Sequence, residues 1–316
     1  MKALQPLQLV VLTAKSGSLS AAARALEMTP AAASAALKRL EHELDAVLFV
    51  RSTRSLRPTP EGELFLLHCQ QALQTLEEAR EAVATGRTTV RGVLQVSAPS
   101  DLGRRLLLPW LDRFQAAYPE LQLRLRLSDR IADFYREPVD AALRYGAPAD
   151  SSLVAFPLAP TNRRMLCAAP DYLAKHGAPE GIHALQDRNC LCFFVGDHVN
   201  DRWRFYRDGN EVSVEVRGDR ASDDSDAVTQ WTLAGHGIAY RSALDIIDDL
   251  ESGRLVQLCA EWQGESAPLN LICADRRALS TSVRQLRTFL LDRCEERTVR
   301  IAEWTSSRSS SNRTVE

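Results

Sequence analysis

No apolar run in the 316-residue chain approaches the ~20 residues that a membrane-spanning helix needs. The uncharged stretch 3–14 is too short to span a bilayer, and it lacks a small-residue cleavage site. The expected compartment is therefore the cytoplasm. The seven cysteines (69, 167, 190, 192, 259, 273 and 294) form no CxxC pair, and no Cys/His cluster has zinc-ligand spacing. Buried reduced thiols are expected, with Cys190 and Cys192 pointing the same way from one strand. GxSxG, HExxH, the Walker loop and GxGxxG are all missing, and Gly235-His236-Gly237 is too short a pattern for a nucleotide site. No metal, no cofactor and no catalytic residue is expected, which argues against an enzyme. Apolar content of 45% and charged content of 25% fit a globular protein long enough for two or three cores. The net charge of −2 says little, but its distribution is informative. Residues 1–60 hold eight Lys/Arg and four Asp/Glu, a balance of +4, and the rest sums to −6.

The basic segment contains AAARALEMTPAAASAALKRLE, residues 21–41. Ala22, Ala23 and Leu26 share one helical face. Thr29-Pro30 then supplies a second helix start, with Thr29 as cap and Pro30 at the first position, where its missing N–H costs nothing. Ala33, Ala36, Leu37 and Leu40 fall on the inner face. Ala31, Ala32, Ser34, Ala35, Lys38 and Arg39 fall outside. Two short helices with small residues on the second one's outer start match a helix-turn-helix that reads the major groove. Lys38 and Arg39 would reach phosphates. An ordinary Ala-rich hairpin is the alternative, and the flanks weigh against it. LFVRSTRSLRPTPEG reads as a two-stranded wing with Arg51, Arg54 and Arg57 beside the minor groove.

Residues 4–62 resemble the winged helix-turn-helix of LysR-type transcriptional regulators, through SGSLSAAARAL, MTP, ALKRLE, LFVRS and TPEG in unbroken order. The resemblance implies double-stranded operator DNA as partner and a site comprising Thr29, Pro30, Ala31, Ser34, Lys38, Arg39, Arg51 and Arg54. The chain departs from the family in two ways. Pro30, Ala35 and Ala36 stand where bulkier polar residues are usual, so readout should lean on Ser34, on methyl contacts from Ala31 and Ala35, and on DNA shape. Asp45 stands where Gly is common, and Asp tolerates a left-handed helix end less well.

Along the chain, residues 4–15 form the first helix, with Leu4, Leu7, Val11 and Ala14 in period, Gly17 as stop and Ser18 as the next cap. Pro60 opens a helix running to about 85. Phe65, Cys69, Ala72, Leu76, Ala79 and Val83 step along it by 4, 3, 4, 3 and 4, the spacing of a coiled-coil seam. Packing on its own domain is the alternative; a dimer seam is preferred, and a homodimer or homotetramer follows. Residues 87–92 read as a hinge.

Strands are then expected at 93–98, 121–127, 139–144, 165–169, 190–195, 203–206, 211–216 and 269–274. Helices are expected at 102–118, with Leu106, Pro109, Leu111 and Phe114 facing in, and at 225–234, 244–250 and 283–297. This order is that of an α/β domain. The Ser/Arg-rich residues from about 305 read as a disordered tail.

RGVLQVSAP, LPWLDRFQAAYPELQL, EPVDAALRYG, LAGHGIAYRSALD, DLESGRLVQL and SVRQLRTFLLD extend the family resemblance. It implies a periplasmic-binding-protein-like effector domain of two α/β lobes, crossing near Pro160 and returning near Pro268. The divisions are then 1–59, 60–86, 87–92 and 93–304, followed by the tail. The first lobe would hold about 93–160 and 269–304, the second about 161–268. A small-molecule effector is expected outside the carboxyl ends of the strands. Those ends place Ser97, Ser100, Asp101, Ser128, Arg144, Tyr145, Ser222 and Asp223 at the site. Asp101 and Asp226 are read as helix caps. Acids in such a cleft disfavour a purely anionic effector and favour one with an amine or several hydroxyls. A solute-binding receptor that binds no DNA is the rival reading; the localised basic charge argues against it.

Overall fold

The computed structural model describes residues 4–312 apart from 52–55, 86–89, 131–138, 147–152, 197 and 275–278. At 51, 71, 74, 78–79, 81–85 and 308–312 it describes the backbone alone. Two units result, one ending at Gly92 and one beginning at Val93.

The first unit opens with α1 (Gln5–Ser16), ended by Gly17 at φ 65°. Ser18 caps α2 (Leu19–Ala25) by accepting the Ala21 N–H. Thr29 caps α3 (Pro30–Glu43) by accepting the Ala32 N–H at 3.2 Å, with Pro30 in the first turn. Small side chains let these helices approach closely: Ala22, Ala23 and Ala33 are buried together with Leu9. On α1 the deepest residues are Leu9, Val10 and Thr13, whereas Leu4, Leu7, Val11 and Ala14 are only half-buried. The reason is that α1 packs against α2, α3 and a later helix, so it buries more than one stripe.

Asp45 adopts φ 49°, the left-handed conformation that the family's glycine would favour. Strands β1 (Phe49–Arg51) and β2 (Leu56–Pro58) pair antiparallel as the wing. In α4 (Pro60–Thr85), Thr59 explains the TPEG motif. Its hydroxyl donates to the Val47 carbonyl at 2.6 Å and accepts the Gly62 N–H at 2.9 Å. A Cβ on Gly62 would sit 2.0 Å from the Leu48 carbonyl oxygen, so only glycine lets α4 close on the wing.

The stripe on α4 divides. Cys69 and Leu66 are buried and Phe65 is half-buried, packed on the unit's own core. Ala72 and Leu76 are exposed, Leu76 at 41%. The side chains of Ala79 and Val83 lie outside the described residues, as do Arg87, Thr88 and Thr89 of the expected hinge.

The second unit contains two lobes. The first is built from β3 (Gly92–Ala98), α5 (Ser100–Leu102), a π-helical segment (Gly103–Leu107), α6 (Leu108–Ala117), β4 (Leu121–Leu127), β5 (Ala141–Tyr145) and β6 (Val154–Ala159). The π-helical segment adds to the turn and rotates the inward face. Trp110, not Pro109, is therefore buried beside Leu106, Leu111 and Phe114; Pro109 is exposed. Along β4 Leu121 is buried and Gln122, Arg124 and Arg126 are exposed, the alternation its sequence foretells.

The chain crosses between residues 159 and 164 into the second lobe. That lobe opens with β7 (Arg164–Ala168), α7 (Pro170–His176), β8 (Cys190–Val195) and β9 (His198–Val199). It continues with β10 (Arg202–Arg207), β11 (Asn210–Glu215), β12 (Ala221–Ser222) and α8 (Ser225–Leu233). β13 (Ile238–Ser242), α9 (Ala243–Glu251), β14 (Val256–Gln257) and β15 (Gln263–Gly264) complete it. β16 (Leu269–Cys273) returns to the first lobe.

The first-lobe sheet runs β4-β3-β5-β16-β6; the second-lobe sheet runs β12-β8-β13-β7-β14, with β11-β10-β15 as a smaller sheet. Burial pushes the Cys190 and Cys192 thiols up to about 12 and about 11 in pKa, consistent with unreactive core cysteines. The last helix, α10 (Thr281–Asn312), corrects the expected disordered tail, because it continues through residues 305–312. It also leaves the first lobe. Phe289 packs 5.4 Å from Phe114 there, but Arg297 donates to the Leu244 carbonyl and pairs with Asp248 at 2.9 Å on the second.

Candidate functional site

Two surfaces carry the residues that the sequence singles out, one in each unit. On α3, burial of Ala33 and Leu37 fixes the opposite face. Ala31, Ala32, Ala35, Lys38 and Arg39 are exposed there, and Ser34 is half-buried. Thr29 and Pro30 start this helix, so the Thr29 hydroxyl is already engaged. Arg57 is exposed on β2 opposite Val50. Arg51 pairs with Leu56 through its backbone, and Arg54 lies outside the described residues. Sequence reading missed Glu41. Its carboxylate accepts the Leu48 N–H at 2.8 Å and the Phe49 N–H at 3.4 Å, tying the end of α3 to the wing. The available signal was an acid near a helix C-terminus, where the dipole disfavours it unless something else holds it.

In the second unit the lobes meet at two helix starts. The Asp129 carboxylate accepts the backbone N–H of Ser100 at 3.1 Å and that of Ser225 at 2.7 Å, plus both serine hydroxyls. The two hydroxyls lie 3.0 Å apart. Ser100 opens α5 in the first lobe and Ser225 opens α8 in the second, and free N–H groups at helix starts suit an anion. Arg104 bridges the same lobes, pairing with Asp224 at 2.9 Å and Asp226 at 3.5 Å. Arg104 is the more strongly held as a cation, its pKa raised first by the hydrogen bond to Asp224.

Deeper, a buried ionic network crosses the interface. Asp101 pairs with Arg241 and accepts the Thr229 hydroxyl at 2.7 Å. Arg105 pairs with Asp249 and donates to the Asp245 carbonyl oxygen at 3.1 Å. The Tyr145 hydroxyl donates to the Asp245 carboxylate at 2.6 Å. Burial, then the Asp101 charge, pushes the Asp245 pKa up to about 7. Burial and then Asp245 push the Tyr145 phenol well above its ordinary value. Breaking such a network by removing one partner is costly, because it strands the other charge.

Of the sequence-nominated residues, Ser100, Asp101 and Tyr145 converge on the other lobe. Ser97 is buried and accepts from Arg144 at 2.8 Å; Arg144 also donates to the Arg130 carbonyl at 3.1 Å. Ser128 accepts the Arg130 N–H at 3.2 Å. Ser222 accepts the Asp224 N–H at 3.1 Å, which shapes the turn before α8. Asp223 is exposed, with no side-chain partner among the described residues. Asp101 and Asp226 are not caps. Asp224 caps α8 by accepting the Asp226 and Ala227 N–H groups, and Asp101 is turned toward Arg241 because a buried cation outbids helix-start N–H groups. Sequence reading stopped one residue short of Asp129 and missed Arg105, Thr229, Arg241 and Asp245 as site residues. Asp101, Asp224, Asp226 and Asp249 at the interface are paired with arginines, which weakens the argument against an anionic effector.

Residues 4–63 match the family model described as bacterial regulatory helix-turn-helix protein, lysR family, and residues 87–295 match the LysR substrate binding domain. The HTH-type transcriptional regulator DmlR of Escherichia coli is 33% identical over 287 residues, covering 91% of this chain and 93% of that one. The HTH-type transcriptional activator TtdR of Escherichia coli is 31% identical over 291 residues, covering 92% and 93%. Among solved structures, CrgA, a LysR-type transcriptional regulator from Neisseria meningitidis, aligns with a TM-score of 0.59 at 30% identity. It covers 92% of this chain and 98% of that one.

Proposed function

Because this chain belongs to the LysR-type transcriptional regulators, a family of DNA-binding proteins with an effector domain, we propose which of its residues carry each role. The outer face of α3 enters the major groove, with Ala31, Ser34 and Ala35 toward base edges and Lys38 and Arg39 toward phosphates. Arg51, Arg54 and Arg57 place the wing beside the minor groove. Ala72 and Leu76, exposed on α4, meet a second copy, and Ala79 and Val83 extend that seam. The protein acts as a regulator in the cytoplasm and catalyses no reaction. No described helix is long and apolar enough to cross a membrane.

The effector binds between the lobes of the second unit. One observation supports this location: Asp129 holds a carboxylate against two helix starts from opposite lobes. An effector carboxylate offers the same acceptors to Ser100 and Ser225 and replaces Asp129 there. Arg144, Ser97 and Ser128 lie along the same strand ends and contact the rest of the ligand. A ligand that binds one lobe arrangement better than another shifts the population of DNA-binding states by that difference in affinity. The coupling of such systems is about 1–3 kcal/mol, roughly 5- to 150-fold.

The test is fluorescence anisotropy on DNA fragments retained by the purified chain, with and without a panel of small mono- and dicarboxylates. One carboxylate is expected to change DNA affinity within that range. Ser100→Ala with Ser225→Ala should keep ligand-free DNA binding and lose the response. A response that survives this double change places the effector elsewhere.

A further inference from the structure

A pocket of about 280 Å3 lies on the second lobe and shares no lining residue with the Ser100–Ser225 contact. One side is apolar, formed by Met165, Phe205, Leu258 and Trp262. The other side is a single face of α10: Thr298, Ile301, Ala302 and Thr305. Their spacing of 3, 1 and 3 is one helical stripe, and three of the four are small, so the stripe leaves space rather than filling it. This wall lies beyond residue 295, where the match to the family's domain ends. It is nonetheless firmly held. Trp304 packs with Ile246, Leu250 and Leu255, and Arg300 pairs with Asp248 at 2.8 Å and with Glu251.

The charge around the pocket is one-sided. Arg163 and Arg164 line it, and among the described residues no acid does. Behind them Glu265 pairs with Arg164 at 2.9 Å and also with Arg204 at 3.2 Å. One carboxylate therefore serves two guanidiniums. Arg163 donates to the Gly264 carbonyl, a neutral partner, at 2.9 Å. Burial pulls the Arg164 pKa below its ordinary value, with Glu265 opposing the shift, so a further anion beside it is favoured.

We propose that this pocket is a second ligand site, which takes a small organic monoanion with an apolar body. The body lies against Phe205, Leu258 and Trp262, and the anionic end faces Arg163 and Arg164. The volume falls just below the roughly 300–1,000 Å3 usual for small-molecule pockets, which excludes nucleotides and peptides and admits one ring or a short aliphatic acid. Guanidinium forks bind carboxylates with charge-assisted hydrogen bonds, so the acid is preferred over its amide. Because α10 packs on both lobes, a ligand on this wall bears on the element that joins them.

Isothermal titration of the full chain with phenylacetate, and with phenylacetamide as its neutral counterpart, tests the site. The chain is expected to bind phenylacetate about tenfold or more tightly than the amide. Ala302→Phe fills the pocket from an exposed helix position and should abolish binding of both. Thr298→Leu is a second filling variant, used if the first does not fold. Arg163→Gln should remove the preference for the acid and spare the amide. Ser100→Ala with Ser225→Ala should change nothing here. No binding of phenylacetate at millimolar concentration overturns the proposal, as does binding that survives a folded filling variant. Binding lost only in the double serine variant puts the acid between the lobes, which sinks this site and leaves the inter-lobe reading intact.

Discussion

Asp129 and Ser225, 96 residues apart, are joined twice: the Asp129 carboxylate accepts the Ser225 N–H at 2.7 Å and its hydroxyl at 3.0 Å. Through the same carboxylate Ser225 is linked to Ser100, so one side chain of the first lobe holds the starts of helices from both. Asp129→Ala leaves these N–H groups without their acceptor. Loss of charge-assisted bonds of this kind costs about 1–3 kcal/mol. The urea midpoint of the second unit is expected to fall accordingly, and an unchanged midpoint would show that Asp129 does not latch the lobes.

Lys38 is exposed on the outer face of α3, one turn beyond Ser34. Lys38→Ala should weaken binding to every DNA sequence alike. It should also make the slope of log affinity against log salt shallower by about one. Salt titrations on specific and random duplexes provide the check; an unaltered slope means that another face of the unit meets the DNA.

Leu76 is 41% exposed, whereas Leu66 and Cys69 on the same helix are buried. Its apolar surface is thus available to a second chain. Leu76→Asp would place two like charges in one seam, each poorly solvated. Sedimentation velocity should show monomers for this variant and a larger species for the parent. An equal sedimentation coefficient for both would remove α4 as the dimer contact.

Asp245 gives the second unit a defined pH dependence. Its folded pKa, raised to about 7 by burial and then by Asp101, exceeds the ~3.9 of an unfolded aspartate. The folded chain keeps a proton that the unfolded chain loses between those values. This stabilisation is full below about pH 4 and is lost as pH rises through about 7. Urea midpoints should therefore decline from pH 5 to pH 8. Asp245→Asn cannot titrate and should flatten the decline; an identical slope in both proteins would assign it to other groups.

The local code of the first unit was legible in the sequence. Gly17, Ser18, Thr29 and Pro30 act where their backbone chemistry dictates, since capping involves residues only three positions apart. The alternation of LQLRLRL likewise fixed which face of β4 is wet. Asp45 shows the limit of that code, because the wing's packing holds an aspartate in a conformation that local preference disfavours. Tertiary structure alone decided the rest. The π-helical segment at Gly103–Leu107 moved Trp110 into the position expected of Pro109. The backbone of α10 continues through residues 305–312, a stretch whose composition reads as disorder. The inter-lobe site depends on pairs such as Asp129–Ser225 and Asp101–Arg241, separated by 96 and 140 residues. No periodicity or spacing rule reaches that far. Sequence determined the family, the helix-turn-helix and many of the elements, because these follow from contacts within a few turns, although β6, α7 and β13 were not expected from it. Which charges face one another across the lobes is settled only when two separately wound sheets are brought together.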